Sequence, residues 1–174
     1  MHQPQTDVHS IVERIESSPA FTSFNADNPH HYLVHAFVAV QRLAEDASPA
    51  LELGYYGKET DRITIFTSEP IVARPPEEVF KESGTLAPLD LGAIRFGFAD
   101  ALRIAERTRA AYYPTHGVMQ GFCILQQSDT YARPVWNITL VLGTLSMLNM
   151  KIDAVTGELL SRELQNIMSL RAPG

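Results

Sequence analysis

Two stretches read together decide the fold: Val135-Trp136-Asn137-Ile138-Thr139-Leu140-Val141-Leu142, and, after a three-residue turn, Ser146-Met147-Leu148-Asn149-Met150-Lys151-Ile152-Asp153. Both are rich in β-branched and large apolar residues, and the second alternates apolar and polar side chains, the period of a strand. Gly117-Val118-Met119-Gln120-Gly121-Phe122-Cys123-Ile124-Leu125-Gln126 before them is a third strand candidate. Consecutive strands on short connections pair as antiparallel meanders. The stripe Phe98, Ala101, Leu102, Ala105 ahead of them has helical spacing and ends before Pro114. After the turn Asp153-Ala154-Val155-Thr156-Gly157, the positions Leu160, Leu164, Ile167 and Met168 fit one face of a closing helix. The second half therefore reads α-β-β-β-α.

The first half has the same order. Val8, Ile11, Val12 and Ile15 mark a helix that Thr6 or Asp7 can cap, with Pro19 just beyond its end. The loop Asn25-Ala26-Asp27-Asn28-Pro29 follows. His31-Tyr32-Leu33-Val34-His35-Ala36-Phe37-Val38-Ala39-Val40-Gln41 favours a strand, although its periodicity alone also fits a helix. Leu51 to Tyr56 and Arg62 to Thr67 read as a hairpin around Gly57-Lys58-Glu59-Thr60-Asp61. Pro75 to Gly84 reads as a short helix, with prolines and acids at its start and glycine at its end. The expectation is an α+β fold: antiparallel meander sheets with helices packed on one face, in two α-β-β-β-α repeats over 1–84 and 95–174, joined by a linker at 85–94. The fragments Ile11-Val12-Glu13-Arg14 and Ile104-Ala105-Glu106-Arg107 are the one match in letters between the halves.

Composition narrows the classes of function. The 174 residues are 45 % hydrophobic and 20 % charged, ordinary for a globular chain that can bury a core without disulfides or metal. The net charge of −6 is uneven. Residues 1–87 hold 6 basic and 13 acidic side chains, and residues 88–174 hold 8 and 7, giving −7 and +1. An acidic surface repels phosphate backbones, so no nucleic-acid partner is expected. Cys123 is the single cysteine, so no disulfide can close within the chain. The start Met1-His2-Gln3-Pro4 has neither the basic nor the apolar region of a secretory signal, which makes the cytoplasm the default compartment. No apolar run approaches the ~18 residues of a membrane span.

Ala101 to Leu160 resembles the PepSY domain. Ala101-Leu102-Arg103-Ile104-Ala105 is similar to the family's helix opening, Val135-Trp136-Asn137-Ile138 to its aromatic strand, and Lys151-Ile152-Asp153-Ala154-Val155-Thr156-Gly157-Glu158-Leu159-Leu160 to its closing motif. The resemblance covers about a third of the chain. It implies a helix on a curved antiparallel sheet, as in cystatin-like folds, and a binding or inhibitory module. It carries over no catalytic residue. The first half has Phe66-Thr67-Ser68-Glu69-Pro70 where the closing motif would stand.

Candidate chemistry is sparse, and each candidate has a structural reading beside it. His31 and His35 would share a helix face and could hold zinc, whereas on a strand they lie ~13 Å apart, too far for one ion. Cys123 sits in the apolar run Phe122-Cys123-Ile124-Leu125, which reads as a buried thiol rather than a nucleophile. Arg103 and Arg107 share a helix face and could form an anion site, or a solvated face in which Asp100 pairs with Arg103. Tyr112, Tyr113 and Trp136 could line a groove or simply pack in the core. No phosphate-binding loop, nucleophile elbow or Cys-x-x-Cys occurs. The expectation is a non-catalytic module, with no cofactor, that recognises a protein or peptide through its sheet face or edge. The alternative is a small-ligand binder or enzyme with a helix–sheet pocket lined by His31, His35, Tyr112, Tyr113, His116 and Trp136, together with the arginine face. A homodimer through an exposed edge at Gly143-Thr144-Leu145-Ser146-Met147-Leu148 is a third possibility.

Overall fold

The computed structural model describes residues 6–40, 50–79 and 84–167. The protein is α+β: its described residues form three α-helices and one antiparallel sheet of nine strands. Helices α1 (Asp7–Glu16) and α2 (Pro19–Asp27) precede strands β1 (Tyr32–Val40), β2 (Glu52–Gly57), β3 (Arg62–Ser68), β4 (Ile71–Ala73) and the two-residue β5 (Glu77–Glu78). A 3-10 turn at Leu91–Ala93 leads into α3 (Phe98–Tyr112) and then β6 (Val118–Ser128), β7 (Arg133–Leu142), β8 (Ser146–Asp153) and β9 (Leu159–Asn166).

The strand order is β4-β3-β2-β1-β6-β7-β8-β9, with β5 bridging β3. Each half is a meander, and the two join where β1 pairs with β6, Phe37 opposite Ile124 and Ala39 opposite Phe122. One core cluster runs through both halves. Val8, Val12 and Ile15 of α1 and Phe98, Ala101 and Ala105 of α3 pack on Leu53, Ala36, Leu125, Trp136, Leu140 and Met150 of the sheet. Phe21 and Phe24 of α2 close the same face over Tyr55 and Phe66, with ring centroids 4.9 to 6.2 Å apart. All three helices thus cover one face, as the amphipathic stripes require.

Residues 85–94, the expected linker, cross from one face of the sheet to the other. Leu86 packs on a small second cluster of Val34, Tyr56, Ile63 and Ile65, whereas Leu89 and Ile94 belong to the main core. The crossing is held where Leu89 N–H donates to the Leu33 carbonyl at 2.9 Å.

Three elements differ from the sequence reading. The closing helix expected over Leu160, Leu164 and Ile167 is strand β9, paired with β8 from Ser146–Asn166 to Ile152–Leu159. The turn before it explains this: Gly157 takes φ +77° and its N–H donates to the Asp153 carbonyl, which folds the chain straight back along β8. The helix expected over Pro75 to Gly84 is extended at Glu77–Glu78, where Glu78 lies opposite Arg62 on β3 and Val79 packs on the second cluster. A cross-strand opposite-charge pair and the packing of Val79 outweigh the acidic helix-start pattern. Residues 80–83 of that stretch, and Met168, lie outside the described residues. Finally, α2 (Pro19–Asp27) fills the unassigned stretch after α1 and takes in Asn25 to Asp27 of the expected loop: Ser18 caps it through Phe21 N–H, with Pro19 at its first position.

Candidate functional site

Alternate residues of each strand point to the face that, among the described residues, carries no helix. From the pairings, one row across it runs Thr67, Glu52, Phe37, Ile124, Asn137, Lys151, Ser161. The next row runs Ala39, Phe122, Thr139, Asn149, Glu163. Val141 and Met147 follow beyond it. The second cluster covers this face only near Tyr32, Tyr56 and Ile63. Phe37, Phe122, Ile124, Val141 and Met147 keep partial exposure and belong to neither buried cluster.

Beside these apolar side chains lies a fixed polar group. The Asn149 amide nitrogen donates to Asn137 Oδ1 at 2.7 Å and to Thr139 Oγ1 at 3.0 Å, across β7 and β8. Side chains tied to each other in this way keep little rotamer freedom, which fixes the polar atoms of this face in place. Half-exposed aromatics with oriented amides are the mixture that binding surfaces favour.

The residues singled out from sequence are dispersed. Trp136 is fully buried on the helix face; its indole N–H donates to the Phe96 carbonyl at 2.9 Å and its ring packs on Phe98. Tyr112 and Tyr113 end α3, where the Arg162 guanidinium stacks over the Tyr112 ring at 3.5 Å and donates to the Tyr113 hydroxyl at 3.1 Å. This joins helix to edge strand rather than lining a pocket. Arg103 and Arg107 lie on the exposed side of α3, with Arg103 paired to Asp100 at 3.3 Å.

His31 and His35 lie at the other end of the sheet. The His35 ring covers Gly54 and the His31 ring covers Gly57, each occupying the space where a side chain would begin. Burial lowers the pKa of both: that of His35 falls to about 4, and that of His31 falls with Glu59 partly offsetting the effect. Among the described residues no group of three or more His, Cys, Asp or Glu is placed to hold a metal ion. Cys123 is fully buried on the helix face, and burial pushes its thiol up to about 12, which keeps it protonated. The strand Ser146–Asp153 is not an edge, since β7 and β9 flank it.

The motif Asp153-Ala154-Val155-Thr156-Gly157 is a structural hub. Asp153 accepts from Val155 N–H, Thr156 N–H and Arg133. Burial alone would raise its pKa, and those hydrogen bonds overcome it and hold the carboxyl below its ordinary value. The Ala154 carbonyl accepts from Arg95 and Phe96, and the Phe96 ring lies over Gly157. Asp7 has a comparable role that the sequence reading did not assign. Its carboxylate leaves α1 to accept from Phe98 and Ala99 N–H at 2.7 and 2.9 Å, capping α3 from 91 residues away.

Compared with known proteins, the chain matches no family model and no curated protein. Its structure is similar to that of a "putative lipoprotein" from Clostridium difficile, with a TM-score of 0.53 and 13 % identity over 84 % of this chain and 90 % of that chain. At that identity the likeness shows a shared fold. No helix among the described residues is long and apolar enough to cross a membrane.

Proposed function

We propose that the protein is a non-catalytic binding or regulatory module that recognises a protein partner through the open face of its sheet. The observation that carries this reading is the half-exposed group Phe37, Phe122 and Ile124 set against the Asn137–Thr139–Asn149 network. A face built only for solvent would not keep two phenylalanines and an isoleucine together at its centre. The likeness of Ala101 to Leu160 to the PepSY domain, and the meander-plus-helix order of each half, support a cystatin-like pair of repeats. The residues that a helix–sheet pocket would need are spread over separate surfaces, which weighs against the small-ligand reading.

A capture experiment tests this. Immobilised wild type is compared with Phe122→Asp on the open face and with Arg103→Glu/Arg107→Glu on α3. The reading expects the open-face variant to lose the bound protein and the helix variant to keep it. Capture indifferent to Phe122, or substrate turnover by the purified protein, contradicts it.

A further inference from the structure

We propose that the free edge of β9 docks the β9 edge of a second copy of this chain, antiparallel and centred on Leu164, so that the sheet continues from one copy into the other. The inference is independent of the open-face reading. It begins with the two ends of the sheet, which differ. At one end β3 is bordered only by short pieces: β4 has three residues, lies between Pro70 and Pro75-Pro76, and is followed by the two-residue β5. Short strands and prolines keep a sheet edge from pairing. At the other end β9 has eight residues and no proline. Among the described residues no strand lies beyond it. Its one basic side chain, Arg162, is folded back over Tyr112 of α3.

Backbone direction sets what this edge offers. Ile167 N–H donates to the Leu145 carbonyl at 2.8 Å. By alternation along an antiparallel strand, Glu163 and Gln165 also turn their N–H and C=O groups to β8, and Arg162, Leu164 and Asn166 turn theirs to the free side. A twofold axis perpendicular to the sheet pairs these outward groups with those of the second copy, in a register centred on a single residue. Charge and length choose among the centres. Centred on Arg162 or on Glu163, the pairing sets like charge on like charge, which is destabilising. Centred on Ser161 or Gln165, it aligns only 159–163 or 163–167. Centred on Leu164, it aligns 161–167 and opposes no like charges. Leu164, 37 % exposed, then meets its own copy. Arg162 lies opposite the partner copy's Asn166, and Glu163 opposite the partner copy's Gln165. Within one copy Gln165 Nε2 donates to Glu163 Oε1 at 2.9 Å. The second amide proton and the second carboxylate oxygen remain to bond across the axis. An extended peptide of any kind could add to an edge; this self-matched register is what names a second copy.

Sedimentation velocity over a concentration series tests the proposal, with far-ultraviolet circular dichroism to confirm that each variant folds. An interface of a few backbone hydrogen bonds and one apolar contact is weak, so the wild type is expected to pass from monomer to dimer at on the order of 100 µM. Leu164→Pro removes an outward N–H that β8 does not use, and is expected to stay monomeric throughout. Gln165→Glu sets a second carboxylate opposite the partner copy's Glu163 and is expected to weaken the dimer about fivefold. The double variant Glu163→Lys/Gln165→Glu opposes lysine to glutamate in the same register and is expected to restore it. Phe122→Asp, on the open face, is expected to leave the dimer intact. If Leu164→Pro fails to fold, the charge pair decides alone. A wild type that is monomeric at every concentration overturns the proposal. So does a dimer that a folded Leu164→Pro or Gln165→Glu leaves unchanged, or one that Phe122→Asp abolishes. The open-face reading is tested separately by capture, so either can fail without the other.

Discussion

The two faces of the sheet use the same strands and opposite chemistry. On β7, Trp136, Ile138, Leu140 and Leu142 are fully buried beneath the helices, while Asn137, Thr139 and Val141 alternate with them on the open side. On β8, Leu148, Met150 and Ile152 are likewise buried, and Met147, Asn149 and Lys151 are not. The helix face is sealed and apolar; Trp136 Nε1 is satisfied by the Phe96 carbonyl, while Ser68 Oγ is buried there without a hydrogen-bond partner. The open face mixes aromatic and aliphatic side chains with a tied amide network. A core needs only the first kind of surface, and the second kind is the one proposed above to receive a partner.

The contrast makes graded predictions. The largest effect should come from the sealed face. Trp136→Ala leaves a cavity and strands the Phe96 carbonyl, and is expected to cost about 3–5 kcal/mol in denaturant unfolding. A loss below about 1 kcal/mol would mean that this face is less tightly packed than its burial implies.

Next comes the histidine end of the open face. Burial holds the His35 pKa at about 4, so the folded state keeps that ring neutral. The unfolded chain takes up a proton below its ordinary value near 6.5. Stability is therefore full above that value, falls as pH drops from it towards 4, and levels off below. The loss is on the order of 3 kcal/mol, and the lowered pKa of His31 adds in the same direction. His35→Gln should flatten most of this slope in urea unfolding measured from pH 7 to 4. An unchanged slope would assign it to other groups.

A smaller effect is expected at Gly54. Any side chain there overlaps the His35 ring, so Gly54→Ala should cost about 1–3 kcal/mol by overpacking. In a Gly54→Ala/His35→Ala double variant, thermal unfolding should show part of that cost recovered. Strict additivity would mean that the two positions do not share the space.

These expectations also show what could be read from the letters. The meander, the α1 and α3 stripes and the buried thiol at Cys123 follow from local periodicity, which the chain obeys wherever apolar positions repeat at one spacing. β9 escaped because Leu160, Leu164 and Ile167 fit a helix, and the deciding fact is the Gly157 turn that delivers the strand to β8. α2 escaped although Ser18-Pro19 carries a helix start. Of the site, Trp136 is a groove candidate by its type, yet its parity with Ile138 and Leu140 places it with the core. The opposite parity of β7, with Asn137 and Thr139, was the readable sign of a second face. Which apolar residues stand beside those amides was not readable, because the β1–β6 pairing that brings Phe37 and Ile124 to them joins residues 87 positions apart in sequence.

The smallest expected effect on stability should coincide with the largest on binding. Phe122 lies at the centre of the open face and keeps partial exposure, so Phe122→Asp, which also puts a poor strand former into β6, should cost about 1–2 kcal/mol of stability. The most direct measurement pairs thermal unfolding with protein capture on one preparation of that variant. The account predicts a folded variant, its melting temperature lowered by only about 2–8 °C, together with complete loss of the captured protein. A collapsed melting temperature would make the open face a second core, and capture left intact would place the binding surface elsewhere.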